Sequence, residues 1–103
     1  MLHNAHQYFT YILTNKGNTV LYIGVTNNLE ARILQHKEKA VAGFTAMYNC
    51  NKLIYFEKYH IFQDAIDREK QLKAGSRQKK VDLIVANNPD WKDLSAGWYA
   101  GVL

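Results

Sequence analysis

One cysteine, Cys50, stands alone in 103 residues, so no internal disulfide can form, and a lone thiol is more often buried filler than a ligand or a nucleophile. A reducing, cytoplasmic setting is expected. No stretch approaches the ~18 apolar residues of a membrane span, and "MLHNAHQYFTYIL" has no basic leader followed by an unbroken apolar run. The expectation is a protein without a membrane partner. Linkers, internal repeats and low-complexity tracts are also missing, which favours a single domain over residues 1–103. What the chain does have is 48% hydrophobic content, enough for a modest core, and 13 Lys and Arg against 9 Asp and Glu. A net charge of +4 favours a polyanionic partner.

The local patterns predict an α/β fold with a small, mainly antiparallel three-stranded sheet flanked by helices. "YFTYILT" (Tyr8 to Thr14) and "VLYIGVT" (Val20 to Thr26) are aromatic and β-branched around the turn-rich "NKGN", a β-hairpin pattern. With Lys16 and Gly17 as a two-residue turn, Tyr11 stands directly opposite Tyr22 on one face. Asn27 or Asn28 caps a helix from Leu29 to about Lys39. "FTAMYNC" is ambiguous between loop and a short helical turn. "KLIYFEKYH" (Lys52 to His60) reads as a third strand. Phe62 to Lys73 has helical spacing and ends at Gly75, and Ser76 caps a last helix to about Ala86. From Asn87 onward the chain reads as irregular structure folded over the core.

Polar residues fall where these helices should be apolar. At 100° per residue, with Leu29 at zero, Ile33 lies near about 40°, His36 near about −20° and Arg32 near about −60°. His36 is therefore expected on the buried side, with Arg32 at its border. With Phe62 at zero, Glu69 falls at about −20°, in the middle of the apolar face of its helix. A buried carboxylate needs a cation, hydrogen-bond donors or a wet cleft. The plain structural reading is an Arg32–Glu69 bridge with His36 nearby. The functional reading brings Tyr11, Tyr22, Arg32, His36 and Glu69 into one cleft. Lys70, Lys73, Arg77, Lys79 and Lys80 add a basic cluster, three of them in a helix's first turn, where cations are disfavoured unless an anion is present. A phosphate backbone is such an anion.

Tyr22-Ile23-Gly24, preceded by Tyr11, followed by Arg32 and then by "DREKQLK" with Glu69, resembles the GIY-YIG nuclease domain. The resemblance runs from about Tyr8 to Trp91 and is nearest to the small single-domain bacterial branch, related to the 3′-incision domain of the excision-repair nuclease. It implies a metal-dependent DNA endonuclease acting in DNA repair or processing, on structured or damaged DNA. It also implies that Tyr11 and Tyr22 flank the scissile phosphate, Arg32 contacts it, His36 assists proton transfer, and Glu69 holds one Mg2+ or Mn2+. Phe9-Thr10-Tyr11 stands where Gly-Ile-Tyr is usual, Val25 stands where some relatives have lysine, and Ala46 and Met47 where many have basic residues. A non-cleaving nucleic-acid-binding module of the same fold is the alternative. His3 and His6, His60, Trp91 and Trp98 are expected to be structural or exposed rather than ligands.

Overall fold

Asn15 closes the hairpin. Its side-chain oxygen accepts from the amides of Thr19 at 2.8 Å and Val20 at 3.1 Å, while its carbonyl accepts from Asn18, whose φ is 58°. This Asx-type turn is wider than a two-residue turn on Lys16 and Gly17, so the pairing slides by two residues. In this computed structural model, which describes residues 6–40 and 42–101, β1 (Tyr8–Thr14) pairs antiparallel with β2 (Leu21–Thr26). Tyr11 faces Gly24 and Leu13 faces Tyr22, in place of the direct Tyr11–Tyr22 opposition expected from the shorter turn. A slide of two preserves the pleat, and both tyrosines stay on one face.

The third strand, β3 (Lys52–Tyr59), pairs antiparallel with the other edge of β1, giving the order β2-β1-β3. Ile12 faces Tyr55 but Leu13 faces Leu53, so Ile54 is a bulge. The extra residue turns Ile54 and Tyr55 into one hydrophobic cluster with Ile12, Ile23, Leu72 and Ile84. The opposite cluster holds Tyr11, Leu13, Leu29, Ile33, Cys50, Leu53 and Tyr99.

Helix α1 (Leu29–Lys37) covers the Tyr11 face. Asn28 caps it by accepting from the Ala31 amide at 3.1 Å, and Leu29, Ile33 and His36 are its buried stripe. It stops two residues short of the expected Lys39 because Lys39 turns left-handed (φ 55°). The amides of Lys39 and Ala40 then return to the carbonyls of His36 and Gln35, a Schellman ending. A single helical turn, α2 (Phe44–Met47), follows Gly43, whose φ of 109° suits glycine.

On the other face lie α3 (Phe62–Ala74) and α4 (Arg77–Asn87), the latter capped by Ser76, whose hydroxyl accepts from the Lys79 amide at 3.1 Å. The buried side of α3 is Ala65 and Leu72. Phe62 is 48% exposed, its ring 5.2 Å from that of Tyr8, so it does not mark the centre of the apolar stripe. The stripe is rotated relative to the expected one, and Glu69 sits on its flank.

Beyond α4 the chain crosses back. Asn88 donates to the carbonyls of Ile54 and Lys92, and the Leu94 amide donates to the Leu53 carbonyl at 2.7 Å. Asp93 accepts from Lys37 at 2.7 Å and from Ser95, and the Tyr99 hydroxyl donates to the Glu30 carbonyl at 2.7 Å. These bonds tie the tail to α1. Trp91 packs partly buried beside the Ile84 cluster and Trp98 lies edge-on to Tyr99, both as packing groups. No helix among the described residues is long and apolar enough to cross a membrane.

Candidate active site

Gly24 explains the glycine of the Tyr-Ile-Gly triplet. A Cβ placed there would stand 2.4 Å from both Cζ and the hydroxyl oxygen of Tyr11, so the Tyr11 phenol occupies the space that any other residue would fill. Tyr11 is only 2% exposed. Its hydroxyl lies 3.1 Å from His36 Nε2, and His36 Nδ1 lies 3.0 Å from the Thr45 hydroxyl. A continuous chain of hydrogen bonds thus runs from β1 through α1 to α2. Each ring nitrogen is donor or acceptor according to the tautomer.

The electrostatics keep both groups neutral. Burial, reinforced by Tyr22 and Glu69 and opposed by Arg32, pushes the Tyr11 phenol well above its usual value. Burial and then the nearby Arg32 cation hold His36 below its ordinary 6.5. At neutral pH the pair is a phenol and an uncharged imidazole, and His36 has one nitrogen able to take a proton.

Tyr22 stands beside this pair. The Tyr22 ring lies 6.4 Å from that of Tyr11 and 5.8 Å from that of His36. Tyr11, not Tyr22, makes the hydrogen bond to His36. Arg32 is half-buried, and its guanidinium makes neither a hydrogen bond nor an ion pair with the described residues. It lines a surface hollow of about 340 Å³ with Tyr8, Val25, Thr26, Asn27 and Phe62. Glu69, on α3, is half-buried, and its charge is the weakest of the influences on the Tyr11 phenol. Its carboxylate pairs with Lys73 at 3.4 Å, so the Arg32–Glu69 bridge of the plain structural reading is not formed.

A metal at this position would have one protein carboxylate. Among the described residues no group of three or more His, Cys, Asp or Glu is placed to hold an ion. Glu69, 22% exposed and paired, among the described residues, with a lysine that is itself 54% exposed, fits a hard cation that keeps most of its own water, as Mg2+ does.

The basic cluster divides. Lys73 and Lys80 line a hollow of about 330 Å³ with Leu21, Tyr22, Ile23 and Phe44. Lys80 also donates to the Gly75 carbonyl at 3.0 Å, and Arg77 to the Asn18 carbonyl at 3.3 Å, which gives these two cations structural duties. Lys79 lines a second hollow with Arg68, Gln71 and, again, Lys80, and Lys70 is exposed. Of the remaining residues, His60 is exposed, Cys50 is a buried thiol whose pKa burial raises, and His3 lies outside the described residues. Thr45 was not foreseen, because a single threonine in "GFTAM" carries no periodic signal.

The α/β domain that carries these tyrosines, the arginine and the buried histidine is of a nuclease-type class by its family match. The GIY-YIG catalytic domain profile matches residues 7–82, and the chain belongs to the GIY-YIG family, in its small UPF0213-like branch. It is 36% identical over 78 residues to a UPF0213 protein of Staphylococcus haemolyticus, covering 76% of this chain and 94% of that one. A UPF0213 protein of Clostridium perfringens is 40% identical over 76 residues, covering 74% and 81%. The solution NMR structure of the UPF0213 protein BH0048 from Bacillus halodurans shares the fold, with a TM-score of 0.55 at 23% identity over 88% of this chain and 97% of that one.

Proposed function

We propose that residues 1–103 form one GIY-YIG-like domain that acts as a metal-dependent endonuclease, hydrolysing phosphodiester bonds of structured or damaged DNA during repair or processing in the cytoplasm. One observation carries this reading: Tyr11, Tyr22 and His36 share a cluster, beside an arginine with no anionic partner among the described residues. A buried or half-buried guanidinium without a counterion is a ready site for a phosphate, which it can grip with two parallel N–H donors. Tyr22, half-buried beside that cluster, can donate to or accept from a phosphoryl oxygen or the attacking water. Tyr11 stays a phenol at neutral pH and acts as a relay: its hydroxyl oxygen takes the proton that the attacking water gives up as its own proton passes to Nε2 of the buried, neutral His36. Glu69 would hold the divalent ion, which would supply charge neutralisation at the leaving oxygen. Lys70, Lys73, Arg77, Lys79 and Lys80 are proposed to follow the DNA backbone.

A second reading, the non-cleaving DNA-binding module, is favoured by one observation. Val25, an apolar residue, lines the hollow beside Arg32 where some relatives place a lysine. The deciding experiment is a panel of duplex, nicked, flapped and branched DNA incubated with Mg2+ or Mn2+, run with the wild type and with Glu69→Gln. Cleavage by the wild type that Glu69→Gln abolishes supports the nuclease. Binding with no cleavage of any substrate supports the module.

A further inference from the structure

An aromatic ladder leads out of the site. The Tyr22 ring stacks on Phe44 at 6.0 Å and 28°, and Phe44 lies 4.7 Å from Tyr48. The inner rung is half-buried in the site. The outer two, Phe44 and Tyr48, are 47% and 45% exposed, and Met47 between them is 71% exposed. Such exposure of neighbouring large apolar groups on a short helix calls for an occupant. The lining of the adjoining hollow indicates which one: Lys73 and Lys80 join Tyr22 and Phe44 there, and none of its lining residues is acidic. Flat rings for stacking beside ammonium groups for phosphates are the two components of a single-strand binding surface. Lys73 shares the Glu69 carboxylate, but Lys80 has no anionic partner among the described residues, and a purely apolar protein partner would desolvate it without a counterion.

We propose that Phe44 and Tyr48, with Lys73 and Lys80, form a stacking subsite for an unpaired nucleotide next to the scissile phosphodiester. The preferred DNA then carries a single-stranded segment at a flap, fork or overhang. The inference takes its polymer, DNA, from the nuclease reading but does not depend on cleavage. Bases paired within a continuous duplex present only their edges to the groove, so only a splayed base can lie against Phe44.

The test is equilibrium binding in EDTA, by fluorescence anisotropy, to a blunt duplex and to the same duplex with a forked end. Wild type, Phe44→Ala and Phe44→Trp are compared, with thermal melts to establish folding; Phe44 is nearly half exposed, so its truncation should leave the fold intact. The forked DNA is expected to bind the wild type more tightly. Phe44→Ala should weaken forked binding by roughly tenfold, leave blunt binding unchanged, and Phe44→Trp should restore it. Equal affinity of the wild type for both DNAs, or equal loss on both with Phe44→Ala, overturns the subsite. Phe44-dependent fork binding without cleavage in Mg2+ would refute the nuclease and leave the subsite standing. Metal-dependent duplex cutting indifferent to Phe44→Ala would do the reverse.

Discussion

The two faces of this sheet carry polar clusters made from nearly the same residue types, and only one of them is open to a ligand. Behind β3, Glu57 accepts from Tyr55 and Tyr59 and from both Nε and Nη2 of Arg68, at 2.9 and 3.0 Å. Burial alone would raise the Glu57 carboxyl, but the donors from Arg68, Tyr55 and Tyr59 hold it below its ordinary range. Those tyrosines are in turn pushed up to about 12, first by burial and then by the carboxylate. Every charge there has its counterpart. On the Tyr11 face Arg32 has none among the described residues, and on the flank of α3 Glu69 pairs, among the described residues, with a lysine that is itself 54% exposed. A saturated cluster stabilises a fold; an unsaturated one waits for the charge it lacks.

The sharpest way to break this comparison is to neutralise each glutamate. Glu69→Gln should lower cleavage by about a thousandfold or more, because a neutral amide binds Mg2+ poorly, while the melting curve stays nearly unchanged. The small stability effect follows from the partial exposure of the Glu69–Lys73 pair, an i,i+4 contact of little net value. Glu57→Gln should do the opposite, costing about 1.5–3 kcal/mol of stability as Arg68 loses its charged acceptor, with cleavage per folded molecule retained. A stable Glu57→Gln protein, or an unstable Glu69→Gln one, would erase the distinction between the two clusters.

Gly24 offers the next largest effect. A methyl at this position collides with the Tyr11 ring at 2.4 Å, and the ring cannot retreat without leaving the core or breaking from His36. Gly24→Ala is expected to cost about 1–3 kcal/mol from overpacking, and to abolish cleavage even where the protein remains folded. Ile23→Val, one residue away on the opposite face, should leave cleavage untouched. Denaturant titration beside a cleavage assay checks both, and full activity in Gly24→Ala would mean that the Tyr11 position is immaterial.

Much of this was legible in the sequence because it rests on periodicity or on caps. The burial of His36 follows from helix phase alone, and Asn28 and Ser76 mark two helix starts through their side-chain oxygens. The shared face of Tyr11 and Tyr22 survived an incorrect turn because an even slide leaves the pleat unchanged. The register itself was hidden, since it depends on the Asn15 side chain competing with the backbone for the turn amides. The phase of Glu69 was misread because Phe62 looks like core but packs on Tyr8 at the surface. The Glu57–Arg68 cluster was invisible for a different reason: "YFEKY" reads as an ordinary strand with exposed charges until the bulge at Ile54 sets its phase and α3 brings Arg68 across.

A smaller effect distinguishes the lysines. If Lys73 and Lys80 contact phosphates, replacing both with glutamine should flatten the slope of log affinity against log salt by about 0.7–0.9 per lost contact. An unchanged slope would assign them to helix packing, the duty that the Lys80–Gly75 bond already suggests.

The smallest expected effect separates the clusters by pH. His36 is held below its ordinary 6.5 by burial and by Arg32, so between its folded pKa and 6.5 the unfolded chain binds a proton that the native state refuses. Its stabilising contribution is therefore complete above about pH 6.5 and is lost as pH falls through the lowered folded value. Glu57, whose ordinary value is 4.5, shows the analogous loss only in more acidic solution. Urea titrations from pH 5 to 8 on the wild type and His36→Gln isolate the effect, because subtracting one from the other removes what the other histidines contribute. The stability difference should be level near neutrality and shrink on acidification, with a slope no steeper than about 1.4 kcal/mol per pH unit for one proton. The acid limb of cleavage should fall in the same range, since a protonated imidazole cannot receive the proton that Tyr11 passes on. A stability difference that stays flat down to pH 5 would mean that the folded site takes up a proton as readily as the open chain. The neutral Tyr11–His36–Thr45 chain would then not be the state in which this site works.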